Sequence, residues 1–153
     1  MRALIQRVSR ASVSVDQHIV GAIGNGLCVF VGVTHADDAT TATKLAEKIW
    51  NLRVFEDKKG LMNHALGEHT GEVLVISQFT LYGDTKKGRR PSFVQAARPE
   101  TAEPLIRCLW EALADLGANV STGQFQKHME EKGNVSAINP TLNTSAINSQ
   151  KQY

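Results

Sequence analysis

The sequence predicts a single α/β domain. Runs rich in β-formers, two apolar stripes at helical spacing and a length of 153 residues, enough for one hydrophobic core, all point that way. Hydrophobic residues at 42% and charged residues at 21% lie in the ordinary globular range. A net charge of +2 is too small to imply nucleic-acid binding by itself, so any such signal must be local. No apolar run approaches the roughly 18 residues of a membrane span, and the expectation is a soluble, cytoplasmic protein with no membrane partner.

Residues 3 to 15 alternate but change phase. Leu4, Gln6 and Val8 share one parity and Ala11, Val13 and Val15 the other, which a bulge near Ser9 and Arg10 reconciles. Asp16-Gln17-His18 reads as a turn, and Ile19 to Ile23 as the returning arm of a hairpin ending in Gly24-Asn25-Gly26. Leu27 to Val33 is nearly continuous in apolar residues, the signature of a strand buried on both faces or of a barrel wall. Asp37 or Asp38 can cap a helix whose apolar positions are Ala42, Leu45, Ala46, Ile49 and Trp50. A short strand at 53–56, a turn at 57–60 and a mixed loop at 61–71 follow. A second helix is expected over about 99 to 116, with Leu105, Cys108, Leu109, Ala112, Leu113 and Leu116 on its stripe and Gly117 closing it. Pro104 places the start of that helix near Thr101 or else kinks it. Asn119 to Thr122 reads as a strand and Gly123 to Met129 as a turn into a short element. Residues 143–153 are polar and without hydrophobic period, which predicts a disordered tail behind a domain of residues 1–142.

The most informative stretch is Val73 to Tyr82. Four apolar β-formers, Val73 to Ile76, run into Ser77, Gln78, Phe79 and Thr80, so a buried strand delivers polar groups to a surface. Immediately downstream, Lys86, Lys87, Arg89 and Arg90 form a cationic cluster suited to phosphates read without regard to base sequence. Each feature has a plainer explanation, a strand end with turn residues and a solvated hairpin loop. Two details favour a site. Phe79 interrupts the polar run, and backbone N–H groups around Phe79 and Thr80 can stabilise the anion of a tetrahedral ester intermediate. A reactive Thr80 hydroxyl would need an activating base, and none is close in sequence, so the backbone donors are the better candidates.

The usual nucleotide, catalytic-triad and zinc signatures are missing from the sequence. Neither a cofactor nor a metal is expected. His64 and His69 form the one close histidine pair, in a loop best read as solvated; His18, His35 and His128 are scattered. Cys28 and Cys108 lack CxxC spacing and read as free structural thiols.

With these residues in hand, the chain resembles the D-aminoacyl-tRNA deacylases, also called D-tyrosyl-tRNA deacylases. The resemblance is carried by Met1 to Val15, Gly26 to Val33, Lys48 to Phe55, Met62-Asn63, Ser77-Gln-Phe-Thr-Leu81, Arg90-Pro-Ser-Phe93 and Thr122-Gly-Gln-Phe125, together spanning about 1 to 129. It implies a curved, barrel-like β-sheet packed by two main helices, and a homodimer with active sites at the subunit interface. It implies hydrolysis of the ester between a D-amino acid and the terminal ribose of tRNA, and of glycyl esters mischarged on tRNA(Ala). Ser77, Gln78, Phe79 and Thr80 would line the catalytic pocket, with the substrate's vicinal 2′-hydroxyl assisting attack by water. Arg7, Phe93 and Met129 would support the substrate, and the cations at 86, 87, 89 and 90 would meet the acceptor end of the tRNA.

The resemblance fails near the C-terminus. The family carries a Gly-Pro pair with a cis peptide that excludes L-amino acids, whereas this chain reads Val135-Ser-Ala-Ile-Asn-Pro-Thr141. Pro140 is the candidate replacement for the family proline, but Asn139 adds a Cβ where the family has none, so a trans bond or disorder is expected there. The alternative is a tRNA- or DNA-binding paralogue that kept the scaffold and lost catalysis.

Overall fold

A computed structural model describes residues 1–135 and 141–143 of the chain. Strand β1 (Arg2–Val15) turns through Asp16 and Gln17, both left-handed at φ 49° and 65°, into β2 (His18–Ile23). Two consecutive left-handed residues make the tight hairpin turn whose twist matches that of its strands. Next come β3 (Gly26–Gly32), α1 (Ala39–Asn51), β4 (Phe55–Glu56), β5 (Met62–His64) and β6 (Glu72–Ser77). Helix α2 (Pro99–Asp115) precedes β7 (Asn119–Thr122), β8 (Glu130–Val135) and β9 (Thr141–Asn143).

The main sheet runs β2-β1-β3-β6-β7, with β8 and β9 also paired to β1. The hairpin strands are antiparallel to their neighbours, whereas β3–β6 and β6–β7 are parallel. The sheet curls until its edges meet: the Ser121 hydroxyl on β7 donates to the Ala22 carbonyl on β2 at 3.0 Å. A Cβ on Gly21 would stand 2.6 Å from the Thr122 carbonyl oxygen, so glycine is what lets β2 approach β7. The result is a nearly closed barrel with both helices on its outer face.

The phase change in β1 is a bulge, seen as a register slip against β8 between Val8 and Arg10. Ala3 and Ile5 therefore face the helices while Val8, Ala11 and Val13 face the inside of the curl. Strand β3 divides likewise, with Leu27, Val29 and Val31 under the helices and Cys28 inside. Helix α1 buries Ala42, Leu45, Ala46 and Ile49 against the sheet, and α2 buries Ala102, Ile106, Leu109 and Leu113. Each large aliphatic so buried contributes about 1.5–3 kcal/mol.

Of the two capping candidates, Asp38 takes the role, accepting the Thr41 N–H at 2.8 Å. Asp37 instead accepts from the Met1 amino group and, at 2.8 Å, from the Thr34 N–H. Three sequence expectations need correction. Helix α2 starts at Pro99, within the expected span, but Pro104 lies in its second turn and not its first, because it is Pro99 that takes the first helical position, where it loses no intrahelical bond. Its buried stripe includes Ile106, while Leu116 at the C-cap stays 37% exposed. The loop at 61–71 holds strand β5 and a 3-10 turn at Leu66–Glu68. Residues 139 and 140 and the tail from 144 lie outside the described residues.

Burial pushes the Cys28 thiol up to about 12, with the Glu131 carboxylate a smaller cause. The unfolded chain releases this proton near the ordinary thiol value of about 9, so the raised value stabilises the fold fully below pH 9 and that contribution is lost between about 9 and 12. The native protein should accordingly yield one thiol, the half-buried Cys108, to a disulfide reagent at neutral pH, with Cys28 reacting only on unfolding. Rapid modification of both thiols would contradict this packing.

Candidate active site

The end of β6 is held in place by its parallel neighbour. Val73 and Val75 sit on the helix side of the sheet and Leu74 and Ile76 on the inside, so Ser77 emerges on the helix side. Beyond it, the Gln78 N–H donates to the Val31 carbonyl at 2.8 Å, extending the β3–β6 ladder by one rung. The chain then tightens into a 3-10 turn at Phe79–Tyr82.

A 3-10 turn leaves its first N–H groups without intrahelical acceptors. Here these belong to Phe79 and Thr80, and neither finds a carbonyl among the described residues. The Gln78 side-chain amide donates to the Thr80 hydroxyl, so that hydroxyl is engaged by its neighbour two residues back. The turn is anchored from β1: Arg2 donates to the Leu81 carbonyl at 2.8 Å and lies over the Tyr82 ring, 4.4 Å from its centroid. Burial raises the Tyr82 phenol to about 12, with Asp37 adding to the rise and Arg2 opposing it.

Ser77, Gln78 and Phe79 line a cleft of about 790 Å³, within the range of small-ligand sites. Its far wall is the N-terminal part of α2, with Ala102 and Ile106, and its floor includes Val31 and Val33. Phe125 and Met129, from the segment after β7, form another side together with Gln126, Lys127 and His128. Gln126 holds a left-handed backbone at φ 59°. The chain between Phe93 and Ala97 completes the rim, tied to β3 through Ala97 N–H to the Val33 carbonyl at 2.9 Å. Phe93 meets Phe79 edge-on with centroids 5.2 Å apart.

The basic cluster sits on a loop pinched by Asp84 and Ser92, which exchange two backbone hydrogen bonds of 2.8 Å. Lys86, Lys87, Arg89 and Arg90 are all exposed beyond this pinch, with Gly88 left-handed at φ 76°. Because Phe93 follows the pinch directly, the cationic loop is a close neighbour of the cleft.

The structure thus brings Ser77, Gln78, Phe79, Phe93 and Met129 together, with Thr80 on the adjoining turn. Arg7 lies elsewhere. It donates to the Val54 carbonyl at 3.0 Å and pairs with Glu56 at 2.9 Å, tying β1 to β4 rather than lining the cleft. Pro140 lies outside the described residues. Sequence reasoning missed Arg2, whose one legible sign is a cation opening an apolar strand, and Lys127, whose neighbourhood is set by a turn. His64 faces Glu68 at 3.8 Å and His69 stacks on Phe55 at 4.2 Å, so the pair does not converge. Among the described residues no three His, Cys, Asp or Glu side chains are grouped to hold a metal ion.

Residues 4–139 match the family described as D-Tyr-tRNA(Tyr) deacylase. The chain belongs to this family. A protein of Symbiobacterium thermophilum named D-aminoacyl-tRNA deacylase is 52% identical over 153 residues, covering all of this chain and 99% of the relative. One of the same name from Heliobacterium modesticaldum is 55% identical over 129 residues, 84% of this chain and 86% of its own. Among solved structures, one titled c-Myc DNA Unwinding Element Binding Protein superposes with a TM-score of 0.85 at 33% identity, covering 94% of this chain and 98% of the other. A probable eukaryotic D-amino acid tRNA deacylase shares the fold, with a TM-score of 0.73 at 14% identity, covering 92% and 98%.

A Cβ at Gly83 would lie 3.0 Å from both the Phe93 ring and the Thr80 carbonyl oxygen, and the carbonyl is fixed by the 3-10 turn. Gly83→Ala should therefore destabilise the protein by about 1–3 kcal/mol in urea unfolding. An unchanged midpoint would show that the turn and Phe93 are not packed as described.

Proposed function

We propose that this chain is a hydrolase that cleaves the ester between a D-amino acid and the 3′-terminal ribose of tRNA, and glycyl esters on tRNA(Ala) by the same chemistry. The observation that carries the reading is the pair of N–H groups at Phe79 and Thr80, beside the cleft and without a backbone acceptor among the described residues. Family membership and relatives above half identity that bear the deacylase name support it.

In the reaction, water adds to the ester carbonyl and the carbonyl oxygen becomes an anion that accepts hydrogen bonds from the two backbone donors. The bond to the ribose oxygen then breaks, that oxygen leaves with a proton, and free amino acid and tRNA result. The substrate's vicinal hydroxyl assists the attack. An aminoacyl ester is already activated, so orientation and charge stabilisation suffice without a side-chain base. Phe125 and Met129 offer apolar faces on which the terminal base can stack.

The cationic loop meets the phosphates of the acceptor end. A second copy of the chain covers the cleft mouth, where Phe79 is 57% and Val94 79% exposed, apolar surface that such a contact would take out of water. No helix among the described residues is long and apolar enough to cross a membrane. A tRNA substrate supports a cytoplasmic protein. The non-catalytic nucleic-acid-binding reading is not favoured: one similar structure is titled a DNA unwinding element binding protein, but the relatives above half identity bear the deacylase name.

Purified protein should release free tyrosine from D-tyrosyl-tRNA; an intact ester after prolonged incubation would refute the reading. With Asn139-Pro140 in place of the family's Gly-Pro, L-tyrosyl-tRNA should be cleaved at a rate approaching that of the D-form. Thr80→Ala should keep most of the activity because its N–H survives, and a loss of about a thousandfold would hand the work to the hydroxyl. Replacing Lys86 and Arg89 together by Ala should weaken tRNA binding and reduce the slope of log affinity against log salt by roughly one to two. An unchanged slope would show that the loop does not touch phosphates.

A further inference from the structure

Beside the main cleft, a second cavity of about 270 Å³ opens between α2 and the turn after β7. The two share Ser77, Ile106 and Phe125, so they lie side by side. One face of α2 lines the smaller cavity with Glu103, Arg107, Trp110 and Glu111, residues four, seven and eight positions from the first and so stacked on one side of the helix. Glu103 and Glu111 stand one turn to either side of Arg107, the spacing at which ion pairs form, yet Arg107 pairs with neither. Trp110 is half-buried against the core, and its indole N–H meets no acceptor among the described residues.

We infer that this side cavity binds the penultimate nucleotide of the unpaired 3′ end of the tRNA, a cytidine. The inference rests on the reading of the main cleft as the seat of the aminoacylated terminal nucleoside. A cytosine ring stacks on an aromatic face such as Trp110, its exocyclic amine donates to a carboxylate, and Arg107 meets a phosphate. Two carboxylates and an unpaired guanidinium make a poor seat for the amino acid's own side chain, most often apolar or aromatic, since their charges would be desolvated without partners.

The test compares D-tyrosyl-adenosine, the dinucleotide D-tyrosyl-cytidylyl-adenosine and the same dinucleotide with its cytosine removed. The cytidine should raise kcat/KM about tenfold, and the abasic form, which keeps only the phosphate contact with Arg107, should gain much less. Trp110→Leu and Glu103→Gln should each shrink that ratio to near one, and the exposed Glu103 can be changed without disturbing the core. Equal kcat/KM for adenosine and dinucleotide, or an equal gain from the abasic form, would overturn the inference. So would a Trp110→Leu variant that keeps the cytidine gain but alters the preference for tyrosyl over glycyl esters, which would give the cavity to the amino acid. Failure of the unaltered protein on all three substrates would instead overturn the reading of the main cleft, and this inference with it.

Discussion

The parallel ladder between β3 and β6 is the constraint on which the site depends. Gly26 to Val31 pair with Glu72 to Ser77, and the glycine at the start is obligatory because a Cβ there would lie 2.1 Å from the Glu72 carbonyl oxygen. From that fixed origin the register carries Ser77 to the top of the sheet. The last rung, Gln78 to Val31, is followed at once by a turn whose leading donors meet no carbonyl among the described residues. The segment 93–97 is held to the end of β3 by the Thr34–Ala96 bridge and the Ala97 bond, so both rims of the cleft are referred to the same strand.

Charge is organised on a different principle. A net charge of +2 gives no long-range field to speak of, and the cations at 86, 87, 89 and 90 are instead concentrated on one pinched loop beside the cleft. Such a loop recognises a polyanion without taxing the stability of the core, because its charges remain hydrated until the partner arrives. The cleft is lined chiefly by apolar groups and backbone, where a few N–H dipoles act more strongly than they would in water. On the proposed reading, affinity and chemistry fall on neighbouring but separate surfaces.

Much of this was legible in the residues. Period-two alternation with one phase slip located the β1 bulge, and the abrupt passage from Ile76 to Ser77 located the strand end beside the cleft, because both are local patterns that the backbone period imposes. What escaped were features fixed by tertiary packing. Ile106 was left off the α2 stripe because the spacing was read from Leu105 and Cys108, whereas the buried face runs through Ala102, Ile106, Leu109 and Leu113, and β5 is too short to show alternation. Arg7 and Arg2 share the same strand. Only the structure shows that the first reaches β4 while the second anchors the turn carrying Phe79 and Thr80.

The central claim is that main-chain donors at the end of β6 receive the developing anion. Amide chemical shifts of ¹⁵N-labelled protein titrated with a D-tyrosyl adenosine analogue, its ester replaced by a stable amide, test this most directly. The account predicts that the N–H resonances of Phe79 and Thr80 move strongly downfield as they acquire an acceptor. Saturation of the cleft, reported by Phe125 and Met129, with those two amides unmoved would contradict it.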